Sequence, residues 1–149
     1  MVESGGCGRI VQAQLATDDW LVALKEEINR SSDYHQAGGR WESSLGMAFL
    51  ADEHDDRDAY VVLDLREGRC ERAAFVSEDQ YRQSTYRLAG PWDRWHQLCG
   101  GRLEPLKAII LKRLEFGGDL LRMAGFLPAA KALLDCACRV TDQVDEPIT

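Results

Sequence analysis

The stretch from Trp95 to Met123, WHQLCGGRLEPLKAIILKRLEFGGDLLRM, constrains this chain more than any other, because its apolar residues exceed one helical stripe. Between Pro105 and Leu114 they are Leu106, Ala108, Ile109, Ile110, Leu111 and Leu114. At about 3.6 residues per turn they occupy well over half of a helix circumference. One sheet covers one side of a helix. The surplus needs a second protein layer, a partner chain or an apolar ligand, so core, interface and cavity all satisfy the pattern.

With 149 residues the chain is long enough to bury a core without staples. The five cysteines, Cys7, Cys70, Cys99, Cys136 and Cys138, are irregularly spaced and follow no secretory signal, which suits reduced thiols in a cytoplasmic, soluble protein. No run approaches the roughly twenty apolar residues of a membrane span. A formal net charge of −7 argues against a nucleic-acid partner. Arg102, Lys107, Lys112, Arg113 and Arg122 do gather locally, and they read either as a solvated face or as a collar for an anionic headgroup or membrane surface.

Residues 1–9 read as a disordered N-terminus, 10–140 as one domain and 141–149 as a flexible tail. Thr17 suits the N-cap of a helix through Asn29, with Trp20, Leu21, Leu24 and Ile28 at helical spacing; whether IVQAQLA extends it upstream stays open. SSDYHQAGGR reads as a polar turn. Strands are expected over Trp41–Leu50, Ala59–Leu65, Arg69–Val76 and about Arg82–Leu88, with a tight turn at Glu67-Gly68 making the second and third a hairpin. Gly90-Pro91 stops the fourth strand and opens a helix to Gly100-Gly101, and another starts near Pro105. Leu114–Phe116 then reads as a short edge strand, Asp119 as a cap for LLRMA, and Pro128 as the start of a last helix to about Arg139. A meander followed by helices is the pattern of an α+β two-layer fold.

From about Ala16 to Asp135 the chain resembles the sterol carrier protein type-two family of small lipid-carrier domains. Trp95, Leu98, Gly101, Leu103, Pro105, Ala108, Leu114, Phe116, Gly118 and Asp119 carry the most specific part of the match. The helix DDWLVALKEEIN, then Tyr34 and Trp41, resemble the N-terminal part of bacterial and archaeal members. Lys112 stands where the family often has glycine. The resemblance implies an α+β fold with a five-stranded, mostly antiparallel sheet, helices packed on one face and an apolar cavity between them. It implies a non-enzymatic domain that binds or transfers a fatty acid, fatty acyl thioester, sterol-like or other lipid. No cofactor is expected; transient membrane-surface contact through the basic residues and a homodimer through the surplus apolar face are the further partners that the residues themselves allow. A closed-cavity accessory module for lipid or quinone metabolism is the alternative. By matching positions, the lining implied is Trp95, Leu98, Leu103, Ala108, Ile109, Leu111, Leu114, Phe116, Leu120, Leu121 and Met123, with Met47, Phe49, Val61, Leu63, Phe75 and Tyr86 from the strands.

Other chemistry is thin. The acidic run of Asp52, Glu53, His54, Asp55, Asp56 and Asp58 lacks the glycine-turned spacing of a calcium loop. Cys136 and Cys138, two apart on a helix, project to different sides and read as structural. His35, His54 and His96 sit in separate contexts without a nucleophile motif or phosphate loop, although His96 beside Trp95 could meet a carboxylate at a tunnel mouth.

Overall fold

The structure is a computed structural model that describes residues 12–53, 55–103, 107 and 113–141. The expected N-terminal disorder, most of the tail, His54 and all of the helix expected from Pro105 except Lys107 lie outside the described residues.

Helix α1 spans Asp18–Arg30, and the Thr17 hydroxyl accepts from the Trp20 amide while Asp18 and Asp19 face the positive end. The segment before it does not extend the helix. Ala16 has φ 55°, and Ala13 instead donates to the Val140 carbonyl, bridging in parallel to Thr141. Thr141, the first residue of the expected tail, is itself buried and accepts the Trp20 indole N–H at 2.9 Å.

Helix α2 (Ser32–Gly38) replaces the expected polar turn. The Ser31 hydroxyl accepts from the Tyr34 amide, and Tyr34 buries completely; one cap and one aromatic anchor hold two turns that composition alone reads as loop.

Strands β1 (Ser43–Leu50), β2 (Ala59–Arg66) and β3 (Arg69–Phe75) form a meander, with Glu67 and Gly68 both at positive φ in the β2–β3 turn. The fourth strand needs correction. Glu78–Arg82 is a helix, α3, because Ser77 and Gln80 form a reciprocal capping box, so β4 starts at Tyr86 and runs through Gly90 to Pro91. Helix α4 (Trp92–Cys99), β5 (Glu115–Gly117), α5 (Leu120–Ala124) and α6 (Leu127–Val140) complete the described elements, and Asp119 caps α5 by accepting from the Arg122 amide.

The sheet order is β3-β2-β1-β4-β5, antiparallel except for the parallel β1–β4 pair. It is a five-stranded mixed sheet in an α+β fold. Register puts Leu45, Met47 and Phe49 level with Leu63, Val61 and Ala59 on one side and with Tyr86, Leu88 and Gly90 on the other; Phe116 lies beside Leu88. All of these share one face, on which α1, α2, α4 and α6 build the core. The opposite face is met by α3: a Cβ on Gly46 would sit 2.8 Å from the Tyr81 ring, which also contacts the Tyr60 ring at 5.4 Å.

A polar clamp ties α1 to α6. Glu27, only 6% exposed, accepts from Arg139 at 2.7 Å and from Arg30 at 3.0 Å. Burial alone would raise its carboxyl, but the two guanidinium donors outweigh it and hold the group below the ordinary carboxylate range.

Candidate functional site

The helix-covered face carries two aromatic clusters, and they differ in how completely they are closed. Phe49 is the hub of the first, with ring centroids 6.3 Å from Trp20, 5.0 Å from Trp92 and 4.5 Å from Trp95. Each indole there has an acceptor: Thr141 for Trp20, the Arg57 carbonyl for Trp92 and the Ala48 carbonyl for Trp95. All four rings are at most 3% exposed. This part is a finished core.

The second cluster runs from Phe116 to Tyr86 at 6.1 Å, from Tyr86 to Trp41 at 6.1 Å, and from Trp41 to Phe126, stacked at 5.5 Å. Trp41 and Tyr86 are buried, yet Phe116 and Phe126 at its ends are half-buried, as are Leu88 and Leu103. The Trp41 indole N–H and the Ser43 hydroxyl are shut off from solvent and have no hydrogen-bond partner among the described residues. Incomplete apolar burial sets this half of the face apart from the first.

The expected lining divides accordingly. Trp95, Phe49, Val61 and Leu63 are locked in or beside the first cluster, with Met47 also buried. Tyr86 and Phe116 belong to the second cluster, the first buried and the second half-buried; Leu98, Leu114 and Met123 are buried in the core, and Leu103 is half-buried against it. Phe75, at the far edge on β3, is 41% exposed, and Leu121 is 88% exposed. Ala108, Ile109 and Leu111 lie outside the described residues, as does the Leu120 side chain. Leu88 and Trp41 were legible by alternation with Tyr86 and by position before β1, but neither entered the expected lining.

Two open grooves mark the surface elsewhere. One, of about 740 Å³, lies between α1 and β3, against Leu21, Val22, Lys25, Asn29, Arg72 and Ala73. The other, of about 530 Å³, lies between α2 and α6. Neither includes a residue of the expected lining.

The acidic loop serves the fold. Asp52 accepts from the Asp93 and Asp55 amides, and Asp58 from the Ala51 amide, so these carboxylates brace the loop and the start of α4. Among the described residues no group of three or more His, Cys, Asp or Glu could hold a metal. Burial pushes the Cys99 thiol up to about 12 and the Cys70 thiol up to about 11, so neither is a ready nucleophile at neutral pH. His96 is half-buried on α4, and Arg102, Lys107, Arg113 and Arg122 are exposed. No helix among the described residues is long and apolar enough to cross a membrane.

A mixed sheet with one apolar face under a helical layer, half-buried at its β5 edge, defines a small two-layer α+β domain of the kind that can hold an apolar molecule against its sheet. No protein-family model and no curated sequence matches the chain. Solved structures do. A crystal structure of sterol carrier protein 2 is 30% identical with a TM-score of 0.77, covering 86% of this chain and 100% of that one. The solution structure of a conserved hypothetical protein from Thermus thermophilus, itself described as a candidate sterol carrier protein, is 29% identical with a TM-score of 0.76, covering 90% and 96%. A ubiquinone synthesis protein, UbiJ-SCP2, shares the fold at 14% identity and a TM-score of 0.54, covering 83% and 89%. The chain belongs to the sterol carrier protein 2 family.

Proposed function

We propose that this domain binds and carries a lipid, without catalysis, and that the apolar part of the ligand lies along the β4–β5 half of the helix-covered face. Leu88, Leu103 and Phe116, with Tyr86, Leu98, Leu114 and Met123 beside them, form its floor and flank in this reading. The observation that carries it is the incomplete burial of Leu88 and Phe116 on a face whose other half is closed around Phe49. Family membership adds the ligand class, since the relatives are described as sterol carriers.

The physics suits a linear chain. Moving a sixteen-carbon chain from water to an apolar site gains about 0.8 kcal/mol per methylene, about 12 kcal/mol before ordering costs, so few polar contacts are needed for micromolar binding. Leu121, exposed on α5 beside Arg122, suits transient contact with a membrane surface from which such a ligand is drawn. A fatty acid, an acyl thioester and a flat sterol-like ring system all meet the apolar requirement.

The test is native mass spectrometry of gently purified protein together with displacement of a fluorescent fatty acid. A co-purifying lipid and saturable, stoichiometric probe binding are the expected results. Their joint failure would remove lipid carriage and favour the second reading, an accessory module in lipid or quinone metabolism with a filled interior, which the closed packing around Phe49 supports.

A further inference from the structure

At the edge of the sheet opposite β5, strand β3 has β2 on one side and, among the described residues, no strand on the other. Val76 donates to the Tyr60 carbonyl at 2.9 Å, continuing the β2–β3 register. By antiparallel alternation Ala74 therefore turns its backbone groups toward β2, and Ala73 and Phe75 turn theirs outward. A bulge at Asp64/Leu65 shifts the alternation, so that Cys70 also faces outward. There the Asn29 side-chain amide stands in for a neighbouring strand, accepting from the Cys70 N–H at 2.8 Å and donating to its carbonyl oxygen at 3.0 Å. Ala73 and Phe75 have no such cover among the described residues. Beside them runs the α1–β3 groove of about 740 Å³, with Val22 59% and Phe75 41% exposed.

An open strand edge beside exposed apolar side chains is a template for a further strand. The charges on β3 make it complementary to itself. Its start carries Arg69 and Arg72, and the chain just past its end carries Glu78 and Asp79, all four exposed. Antiparallel pairing of two copies sets the basic start of each against the acidic end of the other, whereas parallel pairing aligns like charge with like. We propose that two copies of this chain pair antiparallel through β3, with the two-fold axis at Ala74, joining their five-stranded sheets into one. In this register Ala73 of each copy exchanges backbone hydrogen bonds with Phe75 of the other. Each Phe75 ring then lies over the other copy's small Ala73, beside Leu21 and Val22 of its α1–β3 groove. The β4–β5 halves fall at the two outer ends of the joined sheet, so the dimer leaves the proposed ligand strip open and does not depend on it.

The test is sedimentation velocity of the full chain over a range of concentrations, for the wild type, Phe75→Lys and Ala73→Pro, with urea unfolding of each. The wild type is expected to move from 16.7 kDa toward twice that mass as concentration rises. Phe75→Lys is expected to raise the dimer dissociation constant about thirtyfold or more, the loss typical of a central aromatic contact. Ala73→Pro removes only an outward N–H, so it loses the dimer while unfolding in urea as the wild type does. Ala74→Cys, in a Cys7→Ser background, reads the register. At the two-fold axis position 74 forms a non-hydrogen-bonded pair with about 4.5 Å between Cα atoms, within disulfide reach, so copper–phenanthroline oxidation links it and leaves Arg72→Cys unlinked. A monomer at millimolar wild-type protein would overturn the proposal, as would a dimer that survives both Phe75→Lys and Ala73→Pro. Equal linking of the two cysteine variants would overturn the register. Should Ala73→Pro fail to fold, Phe75→Lys and the cysteine pair decide.

Discussion

Phe49→Ala is expected to destabilise the domain by about 4 kcal/mol, the range for removing a buried phenylalanine without collapse of its site. Phe49 has no exposed surface, and three tryptophans surround it. Each indole is tethered elsewhere by a hydrogen bond, Trp20 to Thr141, Trp92 to Arg57 and Trp95 to Ala48, so none can swing in to fill the space. A loss of that size is a large part of the roughly 5–15 kcal/mol typical of a folded domain. Urea unfolding followed by tryptophan fluorescence and circular dichroism measures it. A loss under about 1 kcal/mol would mean that the cluster is loosely packed, and the contrast between the closed and open halves of the face would fail with it.

Gly118→Ala is the second large effect, expected at about 3 kcal/mol from steric strain in a conformation that only glycine adopts easily. Gly118 has φ +120°, and an added Cβ would lie 2.7 Å from the Thr85 carbonyl oxygen and 3.0 Å from the Tyr86 ring. The oxygen is backbone at the entry to β4 and cannot rotate away. The strain falls on the turn that joins β5 to the Asp119 cap of α5, so fatty-acid affinity should drop together with stability. Gly101→Ala is the control: its φ is +76°, but nothing lies within 4 Å of an added Cβ, and a cost of about 1–2 kcal/mol is expected from the backbone alone. Equal losses at the two glycines, by urea unfolding, would show that the contact with Thr85 contributes nothing.

The strand pattern was legible because half-buried strands impose a period of two, and Leu45, Met47, Phe49 against Val61, Leu63 and Leu65 follow it directly. The α1, α4 and α5 starts were legible because Thr17, Pro91 and Asp119 occupy positions with few other uses. The misses have local causes. At Ser31 and Ser77 a serine cap nucleates a short helix whose inner residues are polar, so hydrophobic periodicity has only Tyr34 or Tyr81 to report. Gly90 reads as a strand stop, but here the missing side chain admits a Leu114 methyl, and the strand continues.

The candidate site was less legible than the fold. Core and ligand contact demand the same apolar residues, so sequence could not separate Phe49, enclosed by three indoles, from Phe116, half-buried at the sheet edge.

The most direct test of where the ligand lies is photolabelling with a palmitic acid analogue that carries a diazirine in mid-chain, followed by peptide mapping. Saturable label, displaced by unlabelled palmitate, is predicted on peptides holding Leu88, Leu103 and Phe116. Displaceable label confined to the α1–β3 groove, at Leu21, Val22 or Ala73, would contradict the account, as would label that palmitate does not displace.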